Sequence, residues 1–104
     1  MPVLVPTAPG MVTVYLAIGN SDDKLSQSRW SAFTRDIVDA VRQAAVTVHG
    51  EWYSAAISPS QTACFCAELT EQAADGLKSK VQDIRTAYDQ AAIAWVTTTQ
   101  TEFV

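Results

Sequence analysis

Five side chains have types and spacing that could do chemistry: His49, Glu51, Tyr53, Cys64 and Cys66. His49 is the single histidine of the chain, and so the only side chain whose ordinary pKa lies near neutrality. Residues 49, 51 and 53 alternate, which puts them on one face of a strand. Cys64 and Cys66, in C-x-C spacing, share a face of the strand that follows. A symmetric hairpin between the two pairs positions summing to about 117, with register open by a residue or two. Tyr53 then faces Cys64, Glu51 faces Cys66 and His49 faces Glu68.

Three chemistries compete for this cluster. His49 could act as a general acid or base beside Glu51 and Tyr53 in an open-face pocket. Cys64, Cys66 and His49 could ligate zinc, with Glu51 or water as fourth ligand, although C-x-C is not the C-x₂-C of the usual zinc knuckle. In the plainest reading His49 and Glu51 make cross-strand contacts and the cysteines are small packing groups. That reading is preferred: no metal or other cofactor is expected, and no residue is assigned as catalytic.

Other motifs carry less. Asn20, Ser21, Asp22 and Asp23 offer oxygens, but the D-x-[DN]-x-[DN]-G pattern of a calcium loop is absent. Gly19 stands between a strand and a helix, yet it is one glycine followed by two acids, which would repel a phosphate. One histidine leaves little material for a Ser–His–Asp triad.

The elements that position these residues follow from periodicity. Residues 1–10, with Pro2, Pro6, Pro9 and Gly10, read as a flexible Pro-rich arm ahead of a single domain over 11–104. Met11 to Ile18 alternates, with Val12, Val14, Leu16 and Ile18 on one face. Ser26 caps a helix with Trp30, Phe33, Ile37 and Val41 at helical spacing, and Leu25 and Trp30 occupy the positions of a hydrophobic staple. Strands follow over Val46 to Ala55 and Thr62 to Leu69, joined through Pro59. Thr70 caps a second helix with an inward stripe of Ala73, Leu77, Val81, Ile84 and Tyr88. Ala92 to Phe103 is the last strand. The order βαββαβ predicts an α+β, ferredoxin-like sandwich: a four-stranded antiparallel sheet, first and third strands central, with both helices on one face.

Composition narrows the partners. The 104 residues are 48% hydrophobic and 17% charged, with a net charge of −4, which fits one globular domain. The seven Lys and Arg are scattered, so neither nucleic acid nor an anionic membrane is an expected partner. No apolar run is long enough to span a bilayer, and the first ten residues lack the basic start of a signal peptide. A cytoplasmic location is the default expectation.

With both helices on one face, the other face of the sheet should be polar, and the sequence does not make it so. Met11, Tyr15, Tyr53, Cys64 and Cys66 are expected there, joined by Trp95 if the last strand has that phase, while Trp52 is expected in the core. Such a surface predicts an interface, first of all in a homodimer.

The stretches IGNSDDKLSQSRWSAF (18–33), HGEW (49–52), QTACFC (61–66) and IAWVTTTQTEF (93–103) resemble those of small uncharacterised proteins of actinobacteria and their phages. The resemblance implies a phage or prophage setting and no activity. The expected function is a small soluble interaction or regulatory module, for instance a phage accessory protein that binds a host protein. The alternative is a small-molecule-binding enzyme that uses His49 as its acid or base.

Overall fold

In a computed structural model, which describes residues 3–6, 9–20, 24–55 and 61–103, the chain folds as β1 (Val3–Pro6), β2 (Met11–Gly19), α1 (Gln27–Ala44), β3 (Thr47–Tyr53), β4 (Thr62–Thr70), α2 (Glu71–Ala87), β5 (Ala94–Thr98) and β6 (Gln100–Phe103). Strands β2 to β5 form one antiparallel sheet in the order β3-β4-β2-β5. The first and third strands of the βαββαβ unit, β2 and β4, are central, as the pattern predicts, and β3 and β5 are the edges.

The sheet buries the face that the alternation marks. Val12, Val14, Leu16 and Ile18 of β2 and Ala63, Phe65, Ala67 and Leu69 of β4 meet Phe33, Ile37 and Val41 of α1 and Leu77, Val81 and Ile84 of α2. These helical positions recur at three and four residues, so each helix turns one apolar stripe to the sheet. Both helices start at the expected caps. Ser26 Oγ accepts the Arg29 N–H at 3.3 Å, and Thr70 Oγ1 accepts the Ala73 N–H at 3.0 Å. Tyr88, just past α2, stacks on Phe33 and donates to Asp36 at 2.7 Å, which ties the two helices together.

Asn20 closes the turn out of β2. Its Oδ1 accepts the Leu25 N–H at 3.0 Å, and its Nδ2 donates to Leu25 O at 3.0 Å and to Gln61 Oε1 at 3.2 Å. Gln61 and Gln27 pair their side-chain amides at 2.8 and 3.1 Å. This buried residue is satisfied within the protein, so the oxygen offered to a calcium loop is already used; Ser21, Asp22 and Asp23 lie outside the described residues, as does Pro59.

Two expectations change at the chain ends. The last strand is two strands, β5 and β6, separated at Thr99. The hydroxyl of Thr98 accepts the Gln100 N–H at 3.2 Å and donates to Gln100 O at 2.9 Å, so a side chain takes the place of a ladder partner at the break. The arm contributes a strand: β1 pairs antiparallel with β6, from Val3 opposite Phe103 to Pro6 opposite Gln100. The two pack chiefly against each other and stand off the body. The radius of gyration is accordingly 14.6 Å, against about 13 Å for a compact domain of this length.

Candidate functional site

Pairing between β3 and β4 decides which side chains meet. Thr47 lies opposite Glu68 and Val48 opposite Ala67, but Gly50, not His49, lies opposite Cys66. His49 is the extra residue of a β-bulge. A bulge absorbs one residue and reverses the face of everything beyond it. From there on Glu51 lies opposite Phe65, Trp52 opposite Cys64 and Tyr53 opposite Ala63.

The expected cluster is therefore split. His49 stays on the open face, where its Nε2 lies 3.4 Å from Glu68 Oε1. Glu51 and Tyr53 turn to the helix side. Glu51 takes a two-pronged contact from Arg42 of α1, with Nη2 to Oε1 at 2.7 Å and Nε to Oε2 at 2.8 Å. The hydrogen bonds from Arg42, and then its charge, hold the Glu51 carboxyl below the usual carboxylate range despite partial burial. Tyr53 donates to Glu51 Oε1 at 3.2 Å and sets its ring edge-on to Phe65. Burial, and next the Glu51 charge, push its phenol up. His49, Glu51 and Tyr53 do not share a pocket, and the acid–base set read from their alternation is corrected on that ground.

The zinc set fares no better. His49 is engaged with Glu68, and no group of three or more His, Cys, Asp or Glu among the described residues is placed to hold a metal ion. Cys64 is half-buried, Cys66 is buried, and both are free.

Among the expected interface residues, Met11, Tyr15, Cys64 and Cys66 lie on the open face, as the β2–β4 register requires: Tyr15 faces Cys66 and Ala17 faces Cys64. The Cys66 side chain beside it, through hydrogen bonding first and charge second, and then some burial, raise the Tyr15 phenol above its ordinary value. Tyr53 and Trp95 are corrections. The bulge takes Tyr53 to the other side. Trp95 lies opposite Leu16, a core residue, and packs half-buried against the core, so Ala94 and Val96 take the open face instead.

Trp52, expected in the core, is the aromatic that the bulge delivers to the open face. It is 57% exposed, and its ring lies over Gly50, where a Cβ would come within 2.5 Å of Cη2. Glycine lets the indole lie down on the strand. With Tyr15 and Val96, 47% and 55% exposed, it makes a band of large apolar side chains across the sheet from edge to edge. Gly50 was the available signal: a glycine inside a strand pattern marks bulges and close approaches.

The charge on this face is as distinctive as its apolarity. The seven Lys and Arg all lie in α1, in α2 or just before α1. Strands β2 to β5 contain three titratable acids or bases besides their Tyr and Cys side chains: His49, Glu51 and Glu68. Glu51 is turned away, so His49 and Glu68 remain, facing each other. Four clefts among the described residues lie elsewhere, one between α1 and Tyr53, one between α2 and Trp95 and two between α1 and α2; His49 lines none of the four.

Comparison with known protein families, with curated proteins and with solved structures finds no match. No helix among the described residues is long and apolar enough to cross a membrane.

Proposed function

We propose that this chain is a protein–protein interaction module, not an enzyme, and that it works through the open face of its sheet. One observation carries the reading: Tyr15, Trp52 and Val96 stand about half exposed on a face with no Lys or Arg. Aromatic side chains gathered on a surface depleted of charge are the composition of an interface centre. Acid–base catalysis at His49 has less support, because on the far side of the sheet Arg42 holds Glu51 and Tyr53 donates to Glu51.

The resemblance to actinobacterial and phage proteins makes an actinobacterial host protein the first partner to seek and a cytoplasmic setting the first to test. The chain would be captured on beads from such a lysate, the retained protein identified, and that protein purified and titrated calorimetrically against wild-type and Trp52→Asp chains. The expected result is binding to the wild type and at least a tenfold loss in the variant, the scale of a hot-spot aromatic. Equal affinity for both chains would overturn the open face as the working surface.

A further inference from the structure

We infer that the occupant of the open face is a second copy of this chain, docked sheet to sheet about a two-fold axis, with the β1–β6 arm completing the contact. This rests on the interaction reading and names its partner.

Charge is the first reason. A protein with net charge −4 repels its own copies. In a two-fold interface the same patch meets itself, so a patch that carries one sign of charge is opposed by that same sign. The open face keeps that penalty small, because Glu68 is the one acid that strands β2 to β5 place on it. Its His49 and Glu68 neighbour each other at 3.4 Å, Glu51 is neutralised by Arg42 behind the sheet, and the rest of β2 to β5 there is uncharged. Interfaces between copies of one chain are the more apolar class, and this face, which offers little charge to read, suits a copy of itself.

Area is the second. A stable interface buries about 800 Å² per partner. Four strands about 4.8 Å apart and roughly 20 Å long offer about 380 Å² in projection. Side-chain relief enlarges this, but the sheet alone falls short. The arm can supply the difference. Its two strands pack chiefly on each other, and Val3, on β1, is 55% exposed. A two-stranded ribbon alone in water is marginal, so it gains by lying against another surface. β6 also follows the edge strand β5 after one residue, which makes the arm continuous with the docking sheet.

Multi-angle light scattering and sedimentation on the full chain test this, with Trp52→Asp and Val96→Asp as separate variants. Both positions are more than half exposed in the single chain, so each should fold, and unchanged far-ultraviolet circular dichroism verifies that. The wild type is expected to be dimeric at tens of micromolar, each Asp variant to dissociate it by about 100-fold or more, because a buried unpaired charge is strongly unfavourable, and deletion of residues 1–6 to weaken it by less. A monomeric wild type would overturn the second copy while leaving a foreign partner on the face to its own titration. A dimer that survives both Asp variants would overturn the placement. A dimer that dissociates with both but is unchanged by the deletion would overturn the contribution of the arm.

Discussion

The two faces of this sheet are made by the same strands and differ in what covers them. On the helix side, Val12, Val14, Leu16, Phe65 and Leu69 are almost wholly withdrawn from water by α1 and α2. On the other side, one residue along each strand, stand Tyr15, Ala17, Cys64, Cys66, Trp52 and Val96. A surface meant for water would alternate apolar with polar along each strand. Here threonines such as Thr13, Thr47 and Thr98 share the face with a band of large apolar side chains, and of the two acids in these strands Glu51 is turned away while Glu68 lies beside His49. Sequence periodicity shows which face is the core, because the helices supply the counterpart. It does not by itself show what the second face is for.

The largest expected effect breaks the symmetry between the faces. Phe65→Ala empties the middle of the covered face, where the ring is 2% exposed. A Phe→Ala cavity of this kind costs about 3–5 kcal/mol. Trp52→Ser removes a larger side chain from the opposite face of the same sheet, from a site already half in water. At concentrations low enough to keep chains apart, its cost should stay below about 1 kcal/mol, because surface substitutions seldom cost more. Urea unfolding of both variants would measure the contrast. Comparable losses would mean that the open face is a second core within the single chain.

How much of this was legible in the sequence divides at one residue. The order of strands and helices from β2 to α2, both N-caps, the central strands and the covered face all follow from local spacing, and spacing is what a sequence records. Tyr15, Cys64 and Cys66 were placed on the open face because β2 and β4 pair without irregularity. Glu51, Tyr53 and Trp52 were misplaced together, by one cause: a bulge at His49 changes parity, and parity is a property of the pairing of two strands and not of either strand alone. The phase of β5 was open for a similar reason, since Ile93 and Trp95 are as apolar as Ala94 and Val96, and only the partners on β2 choose between them. Asn20 was read as a surface oxygen because its partners, Leu25 and Gln61, come from two different loops.

A smaller effect sharpens the account of the open face. Gly50→Ala introduces a Cβ that meets the Trp52 ring at 2.5 and 2.6 Å. The atoms it meets are at the far end of a side chain that can swing away, so the backbone need not move. The expected stability change is within about 1 kcal/mol, since Ala also suits a strand better than Gly. The expected structural change is large and local: Trp52 lifts off the strand, and its indole N–H resonance shifts while those of Trp30 and Trp95 stay in place. If all three resonances move, the bulge itself has reorganised, and Gly50 is holding the register and not only making room.

The smallest effect concerns the acid that the bulge turns behind the sheet. Glu51 holds a depressed pKa because Arg42 hydrogen-bonds its charged form. A carboxyl with a lower pKa in the folded chain than in the unfolded chain binds fewer protons when folded. Its contribution is therefore complete above the unfolded value, near 4.5, and is lost as the pH falls through the folded value below that. Arg42 is largely exposed to solvent, 60% by its side chain, which places the pair near the weak, salt-screened end of such contacts. Glu51→Gln should thus lower the unfolding midpoint slightly at pH 7, and the gap to wild type should narrow below pH 4.5 and close in stronger acid. The same gap should shrink in molar salt. A gap that persists unchanged in acid would mean that the amide disturbs packing against Phe65 and Tyr53. One that widens in acid would have the opposite sign from a depressed carboxyl and would remove Arg42 as the group that stabilises the charged form of Glu51.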